Sequence, residues 1–263
     1  MHICVILPAA GHSTRFSGGD KLDQDLGGRA LLLRTVELFT KREEVGSVIV
    51  AGPPETLDAF KERYGASLSF HGAIIVEGGR TARWETVRNA LNAVPADATH
   101  VAVHDAARPA TSTHVLDRVF EAARKLDAVI PVVSINATVK RVGGEPQDVA
   151  DHSQDALADA ILGDSGRNTI HARPVEATLA REGLVEVQTP QVFAAALIKR
   201  AYEQPSLGGV TDDAGLVERL GEPVHAVEGD PRNIKVTTQA DLHLVRAILN
   251  LKPPARRPAH KRF

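Results

Sequence analysis

The chain has 263 residues, 43% of them hydrophobic and 24% charged, with a formal net charge of −2. That composition supports one large α/β domain or two small ones around a real core, and it removes any ground for a whole-surface attraction to nucleic acid or membrane. No apolar run approaches the ~20 residues that span a bilayer, no leader signature precedes the first strand, and the single cysteine, Cys4, reads as a small core residue, so the expected location is the cytoplasm.

Five consecutive apolar residues, Ile3 to Leu7, run into Pro8, the pattern of a buried parallel strand. The loop after it, PAAGHSTRF, is small, flexible and cationic, and Lys21 lies just beyond. Small side chains let backbone N–H groups approach a polyanion, and Arg15 and Lys21 add full charges, so the first expectation is a nucleoside triphosphate site. Helical spacing follows at 31–41, a strand at 47–51, a helix at 55–64 and a strand at 73–76. A helix at 82–94, a strand at 100–103, a helix at 113–126 and a strand at 128–133 continue the alternation. Repeated βα units predict an α/β protein with a mostly parallel, Rossmann-like sheet and helices on both faces.

Past Ile135 the rhythm changes. SINATVKRV reads as one extended segment and LVEVQ, 184–188, as another, and together they are expected to pair as a β-arm over about 134–188. An insertion at about 144–170 lies between them; 144–167 holds six acids and no cation before Arg167. Asp148, Asp151, Asp155 and Asp159 are spaced as one face of a helix, with His152 nearby. A metal site is one reading of that cluster; a solvated acidic face is the favoured one, because no paired apolar scaffold fixes ligand geometry. Helices are expected near 194–202, 212–220 and 239–249, and a strand at 224–227, completing a single domain over 1–250. The basic, Pro-rich end, 251–263, reads as a disordered tail.

Glycines and cations recur at the predicted C-terminal ends of strands, where open α/β sheets bind ligands. EGGRTARWETV supplies Gly78, Gly79 and Thr86; HDAARP supplies Asp105, Ala106 and Arg108; Thr138 and Lys140 come later, and NIKVT presents Lys235. One carboxylate among several cations suits a Mg²⁺–triphosphate, with Asp105 on the metal and the cations on phosphate. Taken singly, a glycine loop is equally a tight turn, and Asp105 with Arg108 is equally a capped helix entry. His71, His100, His114 and His171 lack metal-ligand spacing. No GxSxG elbow, Walker lysine or GxGxxG fingerprint is present, which weighs against an NAD-binding oxidoreductase.

In order, PAAGHSTRF with Lys21, EGGRTARWETV, VHDAARP, ATVKR, Arg181 with QTPQVF, TDDAGLVE and VEGDPRNIKVT resemble the 2-C-methyl-D-erythritol 4-phosphate cytidylyltransferase family, over nearly all of 2–250 outside the insertion. The resemblance implies that CTP and methylerythritol 4-phosphate give CDP-methylerythritol and pyrophosphate with Mg²⁺, in non-mevalonate isoprenoid synthesis. It implies a homodimer whose arms swap, with no nucleic-acid or membrane partner. Arg15 and Lys21 would stabilise charge on the triphosphate. Pro8, Ala9, Ala10, Gly11, Gly78, Gly79, Thr86 and Ala106 would hold the nucleotide. Asp105 would serve the metal, and Arg108 the sugar phosphate. Thr138, Arg181 and Lys235 would grip and aim it, the first two across the dimer. Leu22, Ser13 and Thr86 depart from the residues usual there (Gln, Gly and Ser), and the 43 positions from Thr138 to Arg181 are a longer span than usual. Within the class, ribitol 5-phosphate is the alternative substrate; outside it, a non-catalytic nucleotide-binding protein of the same fold.

Overall fold

The computed structural model describes residues 1–11, 16, 19–145, 147–149 and 170–251. Arg15, the helical reading of Asp151, Asp155 and Asp159, and the tail at 252–263 lie outside the described residues. The chain divides into two compact units, one of Met1–Val133 with Val187–Phe263 and one of Ser134–Glu186.

The first unit opens with β1 (Ile3–Pro8), α1 (Leu31–Glu37), β2 (Val45–Gly52), α2 (Leu57–Phe70) and β3 (Ala73–Glu77). It continues through α3 (Arg83–Leu91), β4 (His100–Val103), α4 (Thr113–Ala123) and β5 (Ala128–Ser134). Strand side chains alternate between faces, so β1 feeds two cores. Ile3, Val5 and Leu7 pack on one face beneath α1, α2 and α4, whereas Cys4 and Ile6 pack on the other beneath α3. A strand buried on both faces has no polar positions, which is why 3–7 reads as an unbroken apolar run. The expected stop of α2 at Tyr64 does not occur: the helix passes through Gly65, and buried Leu68 gives the extra turn an anchor.

The second unit holds β6 (Val139–Val142), β7 (Gln147–Val149), β8 (Ile170–Ala172) and β9 (Val175–Leu179), and β10 (Val185–Val187) leads out of it. Here two expectations are corrected. The partner of β6 is β9, with Val139 opposite Leu179, and not the segment at 184–188. VEATL alternates as a strand should, and the antiparallel β7–β8 ladder between the two segments returns it alongside β6. Asp148 sits in β7 opposite His171 of β8, in an antiparallel ladder and not on a helix face.

The chain then completes the first unit with β11 (Gln191–Ala194), α5 (Ala195–Tyr202), α6 (Ala214–Arg219), β12 (His225–Glu228) and α7 (Gln239–Ile248). The strands run in the order β3-β2-β1-β4-β11-β5, with β12 also on β5. The β1–β2, β1–β4, β2–β3 and β5–β12 pairs are parallel. Strand β11 runs antiparallel to both β4 and β5. Helices α5 and α6 join α3 on one face and α7 joins the other, so both faces are covered. No described helix is long and apolar enough to cross a membrane.

Candidate active site

Parallel pairing carries the C-terminal ends of β1, β3 and β4 to one edge of the sheet, where their loops wall a cleft of about 220 Å³. At the end of β1, Ala9 N–H donates to Ala51 O at 2.8 Å, so the strand geometry continues into the small-residue loop. Lys21 opens a short 3₁₀ turn, Lys21–Asp23, whose first free amide, Leu22 N–H, is accepted by the Asp20 carboxylate at 3.0 Å. Leu22 is buried, so the departure from the family's usual Gln gives this turn an apolar anchor that seats Lys21 at the cleft.

After β3 the chain is packed tightly enough that two glycines are obligatory. A Cβ on Gly78 would lie 2.6 Å from Ala10 Cβ and 2.8 Å from Gly52 O; one on Gly79 would lie 2.2 Å from Glu85 Cβ. Gly79 N–H donates to Thr86 Oγ1 at 3.0 Å, and Asn89 donates to Gly78 O at 2.9 Å. The Glu85 carboxylate accepts from Arg80 N–H, Thr81 N–H and the Thr81 hydroxyl. Those backbone and hydroxyl donors hold its pKa below the ordinary value.

The loop after β4 is held from far away in the chain. His104 is fully buried; its Nε2 lies 3.1 Å from Arg108 O and its Nδ1 3.1 Å from Thr189 Oγ1. A carbonyl can only accept, so Nε2 carries the proton and Nδ1 accepts from the Thr189 hydroxyl. That hydroxyl in turn accepts Asp105 N–H at 3.0 Å. Asn233, also buried, donates to Thr189 O, accepts from the Thr111 hydroxyl, and offers its own carbonyl to Arg108 at 2.6 Å. Val236 N–H donates to Ala107 O at 2.9 Å, so the NIKV segment is fixed on the HDAAR loop. Lys235 is thereby aimed at Asp105, with Nζ 3.0 Å from Oδ2.

Asp105 also meets Arg108 at 3.2 Å and Arg83 at 3.6 Å. Burial alone raises a carboxyl pKa, but Lys235, Arg83 and Arg108 outweigh it and hold Asp105 far below the ordinary range. It is a fixed negative charge that organises cations, not a proton carrier. A second opening of about 260 Å³ lies on the other side of this group, lined among others by Arg108, Gln188, Thr189 and Thr211. Arg83, Asp105 and Lys235 line both openings. The arrangement is two adjoining anion-sized clefts with a charged seam.

The model of the 2-C-methyl-D-erythritol 4-phosphate cytidylyltransferase family matches residues 3–161 and 147–251. The cytidylyltransferase of that name from Frankia casuarinae is 40% identical over 257 residues, covering 96% of this chain and 83% of that protein. The one from Rhodococcus jostii is 36% identical over 249 residues, covering 94% and 95%. The crystal structure of the Thermus thermophilus enzyme is similar with a TM-score of 0.68 and 31% identity, covering 94% of this chain and 98% of that one. The chain belongs to this family.

Of the residues the family resemblance singled out, Pro8, Ala9, Ala10, Gly11, Lys21, Gly79, Thr86, Asp105, Ala106 and Lys235 come together at the first cleft. Gly78 stands behind the lining, where its missing side chain lets the β1 and β3 loops meet. Arg108 is buried and committed to Asp105 and Asn233, and it faces the second opening. Thr138 and Arg181 belong to the other unit, where both are exposed and the Arg181 guanidinium donates to Asn136 O. Sequence reading missed Arg83, His104, Thr189 and Asn233. All four stand inside motifs already noted, GRTAR, HDAARP, QTPQVF and NIKVT, which was the available signal.

Proposed function

We propose that this chain transfers the cytidylyl group of CTP to 2-C-methyl-D-erythritol 4-phosphate, releasing pyrophosphate, in the non-mevalonate route to isoprenoid precursors. The observation that carries the reading is the seam: two clefts meet at Arg83, Asp105 and Lys235, so substrates seated on either side face each other across one charged wall. A phosphate oxygen of the sugar phosphate attacks the α-phosphorus of CTP; a new P–O bond forms, the bond to the bridging oxygen breaks, and its electron pair leaves with pyrophosphate. The nucleophile is already an anion, so no strong general base is required, and catalysis reduces to alignment and charge stabilisation. The N–H groups and small side chains of the β1 and β3 loops seat the nucleotide. Lys21, with Arg15, stabilises charge growing on the triphosphate, and Lys235 aims the incoming phosphate.

Among the described residues Asp105 is the one carboxylate lining the first cleft, and no group of three or more His, Cys, Asp or Glu side chains is placed to hold a metal. A single carboxylate suits Mg²⁺ where phosphate oxygens and water supply the remaining ligands. Oδ1, whose contact with Arg83 is 3.6 Å, has room for that role while Oδ2 stays with Lys235 and Arg108. When bound, the ion supplies charge neutralisation to the phosphate oxygens. Thr138 and Arg181 complete the sugar-phosphate site across a homodimer formed through the second unit, a reading supported by exposed Val142, Val175 and Leu184 on that unit. A reducing cytoplasm fits the unbridged, buried Cys4.

The test is pyrophosphate release with a panel of nucleoside triphosphates against methylerythritol 4-phosphate and ribitol 5-phosphate, with and without Mg²⁺. Turnover should require CTP, methylerythritol 4-phosphate and the divalent ion together. Preference for ribitol 5-phosphate, or nucleotide binding without turnover on either acceptor, would overturn the reading.

A further inference from the structure

One cation at the seam has no assigned role. Arg83 is the first residue of α3, and it lines both openings beside Asp105 and Lys235. Its grip on Asp105 is loose: Nε stands 3.6 Å from Oδ1, beyond hydrogen-bond reach. Its grip on Asp213 is firm, with Nη1 donating to Oδ2 at 2.7 Å. Asp213 is wholly buried just before α6, and its other oxygen accepts the Tyr202 hydroxyl from the end of α5 at 2.5 Å. Both oxygens of this carboxylate are therefore used, one to fix itself and one to fix Arg83.

A buried carboxylate is costly to desolvate, and one kept only to tie helices together is replaceable by apolar packing. This one holds a guanidinium whose side chain stays 30% exposed at the junction of two clefts. The exposed remainder is planar and multidentate, the shape that matches phosphate oxygens. Burial disfavours the Arg83 charge, yet Asp213 and Asp105 outweigh it and raise its pKa further, so the cation is permanent.

We propose that Arg83 contacts the phosphate of the sugar-phosphate substrate as it crosses the seam toward the α-phosphorus, and that Asp213 and Tyr202 are positioning residues that aim it. This assignment rests on the cytidylyltransferase reading and adds to it a second seam cation, beside Lys235, with its own buried support. Loss of Arg83 should then act on the acceptor and on turnover, not on CTP held by the glycine loops.

The experiment is steady-state pyrophosphate release, varying each substrate, with CTP affinity measured separately by calorimetry. Arg83→Gln should lower kcat/KM for the sugar phosphate on the order of 10²-fold, the usual loss for one preorganised donor, and change the CTP Kd less than about threefold. Arg83→Lys, which keeps the charge without the fork, should recover part of the loss. Asp213→Asn and Tyr202→Phe should move the same parameters by about tenfold or less. The Arg83→Gln/Asp213→Asn double variant should be no worse than Arg83→Gln alone, because Asp213 acts through Arg83. If Asp213→Asn fails to fold, Tyr202→Phe and Arg83→Lys carry the same comparison. An active wild-type enzyme with kcat/KM unchanged in Arg83→Gln, an equal loss of CTP affinity, or additive losses in the double variant would overturn this assignment alone. A wild type inactive on both acceptors would overturn the functional reading, and the assignment with it.

Discussion

Two of the loops that wall the first cleft are held in opposite ways. The one after β3 closes on itself: Glu85 and Thr86 bond Gly79, Arg80 and Thr81, all within eight positions of chain. The one after β4 is held by Thr189 and Asn233, which lie 84 and 125 positions from the groups they bind. The local loop presents backbone to a nucleotide and is held mostly from its own sequence, with Gly78 N–H tied besides to Gly52 O at 2.8 Å. The remote one presents charge, and charge in a half-buried site has to be fixed by partners that arrive only when the fold is complete.

His104 breaks this comparison hardest if it is wrong. Burial pushes its pKa down to about 4, against about 6.5 in the unfolded chain, so between those values the unfolded chain takes a proton that the folded chain refuses. Folding stability should therefore be full above about pH 6.5 and fall as pH drops toward 4, by about 3 kcal/mol in all. Urea midpoints across that range should show the loss, and His104→Gln should flatten it; an equally steep variant would contradict the role given to this residue. Lys21→Ala should lower kcat on the order of 10²-fold, because it removes a donor to the developing charge; near-normal turnover would remove Lys21 from the mechanism. Lys235→Ala should raise KM for the sugar phosphate about tenfold and leave CTP affinity alone, as steady-state kinetics in each substrate would reveal. Smallest is Glu85→Gln in the β3 loop, expected to raise KM for CTP a few-fold and to lower Tm only slightly, since this side chain is half-buried and an amide oxygen can still accept from Arg80 N–H and Thr81 N–H. A loss there as large as at Lys21 would erase the distinction between the loops.

How much was legible beforehand follows the same division. Unbroken apolar runs announced β1 and β2, because strands covered by helices on both faces carry no polar positions. Gly79 and Thr86 were visible because the bond between them lies within one short segment of chain. Strand β11 was not: four residues between Pro190 and α5 are too few to show a period. The segment 139–142 was legible as extended but could not name its partner, and β9, which lies past the insertion, was not read as a strand. Arg83 and Asp213 are 130 positions apart, so their pairing exists only in the folded chain.

The most direct test of the central claim is a crystal structure with CTP bound. The account predicts the triphosphate between the β1 and β3 loops, with phosphate oxygens within about 3 Å of Lys21 Nζ and of backbone N–H groups of the glycine loop. A nucleotide seated elsewhere, with Lys21 and Asp105 on different surfaces from its phosphates, would contradict it.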